Sequence, residues 1–317
     1  MNYKFGTVGN DALFVQASQA GEIVVLGREG NDSILGVVND LGQESYMSLF
    51  GGSGNDTLIG TIILQLNEGP MESDSFISLF GGSGDDQLFA MSGYLLLDGG
   101  SGDDYLWSFH GSEMSGGDGD DTIMGGGNSD DPDDYNVIDG GSGQDFIMCG
   151  PVGDQVVTDD GEADFVVGGD GDDVFYADLH DFISGGLGAD LFSFSVDLVD
   201  HLVEGAPEIV IGDVIDDFTA AEGDFLSMDL GDLSQLHPQA RLEGNSLVVS
   251  TDLGQITFDL AGMADGDMSL VFETDDLTDF DGHIIGSETT VGIVLVGQAD
   301  PIAAFLCQQY YDSSPIF

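Results

Sequence analysis

The sequence predicts an all-β fold built from stacked repeats, and three features of its 317 residues indicate this. A glycine-rich nonapeptide recurs between residues 6 and 193. Apolar and polar residues alternate beside it, which is typical of short strands with one buried face. The composition agrees, because 50 glycines favour many tight turns and 41% hydrophobic residues are enough to form a core.

The charge of the chain is strongly one-sided, with 60 Asp and Glu against 3 Lys and Arg and a formal net charge of −57 at pH 7. Such a chain repels itself, and a large core is compatible with this charge if bound cations neutralise it. We expect no nucleic-acid partner, since only Lys4, Arg28 and Arg241 could contact phosphate. No stretch reaches the roughly 18 apolar residues of a membrane span, and the N-terminus lacks the apolar core of a secretory signal peptide.

Ten copies of the nonapeptide share an aspartate at the sixth position and an apolar residue at the eighth. The nine regular copies are GTVGNDALF (6–14), GREGNDSIL (27–35), GGSGNDTLI (51–59), GGSGDDQLF (81–89), GGSGDDYLW (99–107), GGDGDDTIM (116–124), GGSGQDFIM (140–148), GGDGDDVFY (168–176) and GGLGADLFS (185–193). DDGEADFVV (159–167) is a decayed tenth copy. The sixth-position aspartates are Asp11, Asp32, Asp56, Asp86, Asp104, Asp121, Asp145, Asp164, Asp173 and Asp190.

The pattern G-G-x-G-x-D-x-U-x resembles the calcium-binding nonapeptide of the RTX (repeats in toxin) family over residues 6–193. The segment DVIDDFTAAEGDFLSMDL (213–230) is similar to the D-x-I-x-D-F segment after the last repeats of many secreted RTX proteins, although the usual Asp-Leu-Ser ending is altered. The resemblance implies a parallel β-roll, which is a β-solenoid, that binds several Ca2+ ions.

A calcium site in this roll needs two turns, because calcium takes about six to eight hard oxygens and one turn offers too few. The resemblance implies that the sixth-position aspartates bind the metal together with the carbonyls of the second and fourth glycines. These glycines are Gly52, Gly54, Gly82, Gly84, Gly100, Gly102, Gly117, Gly119, Gly141, Gly143, Gly169, Gly171, Gly186 and Gly188. Thr7 and Arg28 replace the second glycine in the first two turns. The alternative is a metal-free β-solenoid in which the aspartates only cap their own turns.

The spacing of the aspartates predicts which turns stack. Two nonapeptides per coil place turns 18 residues apart on one edge, and Asp104 lies 18 residues after Asp86 and 17 before Asp121. Steps of 24 and 30 residues require insertions on the opposite edge, for which segments 60–74 and 125–136 are the candidates. The step of 9 residues from Asp164 to Asp173 predicts a switch to the opposite edge. The seven inward residues of the strands after these turns are predicted to be Leu58, Leu88, Leu106, Ile123, Ile147, Phe175 and Phe192.

The pattern changes after the repeats, so the chain is divided into a calcium-binding roll (1–194), a C-terminal β-rich cap (195–280) and a tail (281–317). In the cap, SLVVSTDLGQITFDLAGM (246–263) predicts two antiparallel strands around a turn at 252–254. An independent ligand-binding domain is the alternative for this region. In the tail, Asp300 followed by Pro301 favours a short helix over 301–311, and the tail is a candidate type I secretion signal.

No catalytic residue is predicted, since HExxH and G-x-S-x-G motifs are absent and the five histidines are dispersed. A glycosidase-like carboxylate pair stays open, because acid pairs are numerous. Tyr105 and Trp107 flank inward Leu106 and should point outward, as a carbohydrate-contact surface or as ordinary solvated aromatics. Pairing of Cys149 with Cys307 also stays open.

The sequence therefore predicts a secreted or cell-surface calcium-binding RTX repeat protein that is exported by a type I secretion apparatus. A surface adhesin or polysaccharide-binding module, and an enzyme with its site in 195–280, are the alternatives.

Overall fold

The computed structural model describes residues 2–17, 21–40, 45–64, 75–92, 95–127, 134–158, 162–177, 180–195, 208–210, 215, 224–229, 239–243, 246–252, 254–259, 268–278 and 284–295. The regular secondary structure of these residues is all β-strand, which confirms the predicted fold class. None of the described residues forms a helix of the length and hydropathy that a membrane crossing needs. The chain divides into two compact units, Met1–Asp173 and Val174–Phe317.

The first unit is a β-solenoid in which successive strands alternate between two parallel sheets. Its strands in chain order are β1 (Asn2–Phe5), β2 (Ala12–Ala17), β3 (Gly21–Glu29), β4 (Ser33–Asp40), β5 (Ser45–Ser53), β6 (Thr57–Leu64), β7 (Phe76–Ser83), β8 (Gln87–Ala90), β9 (Leu96–Ser101), β10 (Tyr105–Ser108), β11 (Glu113–Asp118), β12 (Thr122–Met124), β13 (Val137–Ser142), β14 (Phe146–Met148), β15 (Gln155–Thr158) and β16 (Phe165–Asp170). The odd-numbered strands form sheet A and the even-numbered strands form sheet B. The parallel β-solenoid implied by the repeats is thereby confirmed.

The nonapeptide explains this alternation. In the copies between residues 27 and 148, the glycines end a strand of sheet A, the aspartate closes the turn, and the last three residues begin a strand of sheet B. The copy at 168–176 instead follows a strand of sheet B. The eighth residues stack in register inside the roll, with Leu88 against Leu106 and Leu106 against Ile123. All seven residues predicted to face inward are at most 1% exposed. Full burial of one such side chain contributes roughly 1.5–3 kcal/mol, so the stack is a main source of stability.

The first predicted insertion begins later than expected. Residues 60–64 continue strand β6, which pairs with β4 from Ser33↔Thr57 to Asp40↔Leu64. The prediction of a loop over 60–74 was therefore wrong at its start, because the alternation of Gly60 and Ile62, both buried, extends the strand. Residues 65–74, and residues 128–133 of the second predicted insertion, lie outside the described residues.

The second unit contains the last two regular nonapeptide strands and several longer ones. Its strands are β17 (Val174–Ala177), β18 (Phe182–Leu187), β19 (Leu191–Ser195), β20 (Glu208–Val210), β21 (Phe225–Asp229), β22 (Gln239–Glu243), β23 (Ser246–Thr251), β24 (Gly254–Asp259), β25 (Met268–Thr278) and β26 (Ile284–Leu295). β17, β19 and β21 are parallel neighbours, and β26 joins β21 and β25 in antiparallel pairing.

The predicted hairpin of the cap is confirmed, because β23 and β24 pair antiparallel with Thr251 opposite Gly254. β22 adds to β23 and β20 adds to β24 in the same small sheet. The helix predicted over 301–311 lies outside the described residues. The domain boundaries at 194 and 280 stay predictions.

Candidate metal centre

Eight of the predicted aspartates form one hydrogen-bonded column along an edge of the first unit, called here the aspartate column. At each step the backbone N–H of one aspartate donates to Oδ1 of the aspartate in the next coil, over 2.6–2.8 Å. Successive aspartates are 17, 18, 19, 21, 24 or 30 residues apart in the sequence, and all of these spacings leave them on the same edge. The column consists of Asp11, Asp32, Asp56, Asp86, Asp104, Asp121, Asp145 and Asp164.

The second carboxylate oxygen is buried without a hydrogen-bond partner in the middle of the column. This holds for Oδ2 of five members, Asp32, Asp56, Asp86, Asp104 and Asp121. Each Oδ2 lies against the first glycine of its own turn, as a Cβ added at Gly99 would meet Oδ2 of Asp104 and the carbonyl oxygen of Gly116. A buried acceptor left unpaired destabilises a fold by about 1–3 kcal/mol, and more when it is charged. A bound cation or a proton would satisfy these oxygens, and at neutral pH a cation balances the charge of the whole row.

The pKa values of the aspartates in the column indicate the same lack of positive charge. The pKa values of Asp86 and Asp121 are raised to about 7, mainly by burial and to a smaller extent by neighbouring carboxylates, while the backbone N–H bonds act in the opposite direction. Burial likewise raises the pKa of Asp104 to about 6. The pKa values of Asp32 and Asp56 are also raised, mainly by burial. The folded column thus disfavours its own ionised form unless a cation balances it.

The second and fourth glycines bring backbone carbonyls together at the same edge. Gly100 and Gly102 have φ values of 108° and 119°, which favour glycine over any other residue. A Cβ on Gly100 would fall on the carbonyl oxygen of Gly82, and one on Gly102 on that of Gly84. All fourteen glycines predicted as ligands share the positive φ. The carbonyls predicted as ligands therefore approach the next coil without an intervening side chain.

The first two turns depart from this arrangement in different ways. Arg28 takes the conformation of the glycine that it replaces, with φ of 93°, and its guanidinium lies 5.1 Å from the centre of the Phe5 ring. Asp11 differs from the next five members, because its Oδ2 accepts hydrogen bonds from the backbone N–H and the hydroxyl of Thr7. The turn at Asp11 thus satisfies its carboxylate with protein groups.

The donor set fits calcium. Carboxylate and carbonyl oxygens are the hard ligands that Ca2+ prefers, whereas zinc and copper favour imidazole and thiolate. Within the described part of the chain, His, Cys, Asp and Glu side chains do not cluster in threes as a metal-binding group. Each site would instead combine the aspartates of adjacent turns with backbone carbonyls.

The opposite edge carries a second column, of which the sequence prediction found only part. The backbone N–H of Asp154 donates to Oδ1 of Asp173 over 2.6 Å, so the predicted switch of edge at Asp173 is confirmed. The N–H of Asn136 donates to Oδ1 of Asp154, and the N–H of Ser112 donates to Oδ1 of Asn136. This second column of the first unit contains neutral side chains at its start and carboxylates further along. Within the second unit, the backbone N–H of Asp190 donates to Oδ1 of Asp224.

Asp154 and Asp224 were missed because their turns lack the double glycine. Burial raises the pKa of Asp154 to about 6, as in the aspartate column. A signal was nevertheless present, since each aspartate is followed two residues later by a buried apolar residue, Val156 or Leu226. Asp154 also lies 19 residues before Asp173.

The cysteines and one of the five histidines can also be compared with the structure. Cys149 is buried, and Cys307 lies outside the described residues, so their pairing stays open. His110 contacts Asp134, with Nδ1 3.0 Å from Oδ2.

Comparison with known protein families agrees with this geometry. The sequence profile of the RTX calcium-binding nonapeptide repeat matches four segments, residues 48–61, 80–108, 113–131 and 152–179. These segments include Asp86, Asp104 and Asp121 of the aspartate column, and Asp154 and Asp173 of the opposite edge. No curated protein matches the chain as a relative. The chain therefore carries RTX calcium-binding nonapeptide repeats, wound into a β-solenoid.

Proposed function

We propose that this protein works outside the cell and that its roll folds when several Ca2+ ions bind between stacked turns. The observation that supports this most is the buried row of unpartnered Oδ2 atoms from Asp32 to Asp121. The proposed ligands are these aspartates with the carbonyls of the second and fourth glycines, for example Asp104 with Gly100 and Gly102. No catalytic activity is proposed for the roll.

Calcium would supply the positive charge that the column lacks. Without it, ordering the glycine-rich turns has a large entropic cost while the ionised carboxylates repel one another. With it, the free energy of metal binding becomes free energy of folding, because the unfolded chain has no preformed site. The hydrogen bonds from the backbone N–H of one aspartate to Oδ1 of the next then hold successive turns in a fixed register.

A calcium titration followed by circular dichroism tests this proposal. The metal-free chain at neutral pH should give a largely disordered spectrum, and calcium should convert it into a β spectrum at about 10⁻⁴–10⁻³ M, the range of extracellular modules. Magnesium is the control, since it demands a smaller and more regular oxygen shell. A β spectrum that persists in excess chelator would contradict the proposal.

We further propose that the chain leaves the cell unfolded through a type I apparatus and that residues 281–317 carry the signal. Low calcium inside the cell would keep the acidic chain unfolded until it reaches the medium. The test fuses residues 281–317 to a passive reporter and deletes them from the parent, in a host with a type I system. Export of the fusion and retention of the deleted parent are expected. The reverse result would show that the signal lies elsewhere.

A further inference from the structure

The outer surface of sheet B carries a patch of aromatic side chains, called here the aromatic face. It is formed by Phe89, Tyr105, Trp107, Phe109, Phe146 and Phe165. Strand pairing aligns them, with Trp107 beside Phe89 and Tyr105 beside Gln87 on one side, and Phe146 beside Phe165 on the other. Leu106, between Tyr105 and Trp107, is fully buried, so its two neighbours point outward as the sequence predicted. Phe109, Phe146 and Phe165 are 56%, 36% and 39% exposed.

The aromatic face is uncharged in a protein that carries 60 acidic residues. From β6 to β14, the described outward positions of sheet B hold only Thr, Gln, aromatic and aliphatic side chains and methionines. In β16, Phe165 and Val167 continue this pattern, and the exposed Asp170 lies at the end of the strand. The outward positions of sheet A, in contrast, include Glu22, Asp98, Glu113 and Asp139. The outward positions around the aromatic rings are therefore free of acids, unlike those of sheet A.

The rings support one another in fixed positions. The Phe89 ring lies 5.8 Å from that of Tyr105 and 6.5 Å from that of Trp107, and Trp107 lies 6.1 Å from Phe109. The hydroxyl of Tyr105 donates to the Met124 sulfur over 3.2 Å. A ligand that stacks on these rings would find them already ordered, which reduces the entropy lost on binding.

The size and charge of the aromatic face indicate which class of partner it can bind. Strands β8 to β16 span about 19 Å at a strand separation of about 4.8 Å, and Tyr105 to Phe109 spans about 13 Å. The resulting area, about 250 Å², is well below the roughly 800 Å² that each partner of a stable protein pair buries. A second copy would also bring a second strongly acidic chain, with 60 Asp and Glu against 3 Lys and Arg. A cationic partner would be drawn to the acidic edges instead, and an anionic one would be repelled.

We propose that the aromatic face binds a neutral glycan chain lying along the axis of the roll. Sugar rings offer apolar C–H faces to aromatic side chains, and the strand separation is close to the length of one sugar unit in an extended chain. This binding goes beyond the proposed calcium function and requires only that the roll is folded.

The fluorescence of Trp107 reports on this site directly, because the chain has one tryptophan. The calcium-folded protein is titrated with cellohexaose, chitohexaose and mannohexaose, and with hexagalacturonate as an acidic comparison. At least one neutral hexasaccharide should shift or quench the emission, whereas the acidic one should not. Phe109→Ala retains the fluorophore and should weaken binding about two- to tenfold, since it removes one aromatic contact.

Calorimetry extends the test to Trp107→Ala, with Phe50→Ala as the matched control. Phe50 stacks on Phe80 at 4.7 Å on the outer surface of sheet A, so it loses the same kind of contact away from the aromatic face. Trp107→Ala should lose binding and Phe50→Ala should retain it. Calcium midpoints measured by circular dichroism show separately that each variant folds.

Three results would overturn the proposal. One is that none of the three neutral hexasaccharides binds the folded protein. Another is that Phe50→Ala weakens binding as much as Phe109→Ala. The third is a dimer in sedimentation that Phe109→Ala dissociates, which would assign the face to a second copy of the chain.

Discussion

Replacing Asp104 by asparagine should have opposite effects on the calcium-loaded and metal-free folds. Asp104 lies in the middle of the aspartate column, where its Oδ1 accepts the backbone N–H of Asp86 over 2.6 Å and its Oδ2 is buried without a partner. Asparagine keeps an oxygen for the N–H bond and removes the charge. Asp104→Asn thus isolates the electrostatic role of this carboxylate.

The magnitude follows from the kind of contact that is lost. An interaction with a charged group contributes about 1.5–3 kcal/mol, which is roughly a ten- to hundredfold change in the affinity of an ion that uses this carboxylate. Asp104→Asn should therefore raise the calcium midpoint in a circular-dichroism titration severalfold. In chelator the same variant should show at least as much residual β structure by circular dichroism as the wild type, because a buried charge has been removed.

The matched control is Asp103→Asn, one residue earlier. Asp103 is exposed, and its Oδ1 accepts the N–H of Asp120 over 3.1 Å, a bond that asparagine can keep. Its calcium midpoint should stay close to that of the wild type. Equal midpoints for Asp103→Asn and Asp104→Asn would refute the assignment of calcium to the buried column, since net charge alone would then explain both.

Three further predictions concern position, backbone and pH. Asp104→Ala should raise the calcium midpoint more than Asp11→Ala, because Oδ2 of Asp11 already accepts two bonds from Thr7; equal shifts would show that the turns bind independently. Gly100→Ala should destabilise the calcium-loaded roll by about 2 kcal/mol or more in thermal or denaturant unfolding, since φ is 108° and a Cβ would fall on the Gly82 carbonyl. Gly9→Ala, with open space around its Cβ, is the control and should change stability little. In chelator, lowering the pH from 8 to 5 should favour folding, because the pKa of Asp86 is raised from 3.8 to about 7 and the stability of this protonated form is lost as pH rises through 7; a metal-free fold that weakens on acidification would contradict this sign.

The repeat made most of the roll predictable. Each nonapeptide specifies one turn and the strand that follows it, because two glycines permit the turn, one aspartate closes it and one apolar residue fixes the inward face. Leu88, Leu106 and Ile123 therefore appear inside the roll where the eighth position placed them. The spacing of 17–19 residues also identified which turns stack.

The opposite edge was less predictable, because hydrogen bonding there does not require the full motif. Ser112 and Asn136 fill positions that carboxylates occupy further along, since a hydroxyl or an amide can also accept a backbone N–H. A short D-x-V pattern and a spacing of 19 residues before Asp173 were the only sequence signals for Asp154. The extension of β6 to Leu64 was missed for a related reason, because pairing with β4 continues the strand beyond the end of the repeat.

Hydrogen–deuterium exchange measured by mass spectrometry, with calcium and with chelator, tests most directly whether ions between stacked turns hold the roll together. The peptides to follow are those covering the turns at 81–86, 99–104 and 116–121, where the backbone N–H groups of Asp86, Asp104 and Asp121 donate along the column. Calcium should protect these peptides strongly, chelator should abolish the protection, and magnesium should not restore it. Protection of the three turns that is the same in calcium and in chelator would contradict the account.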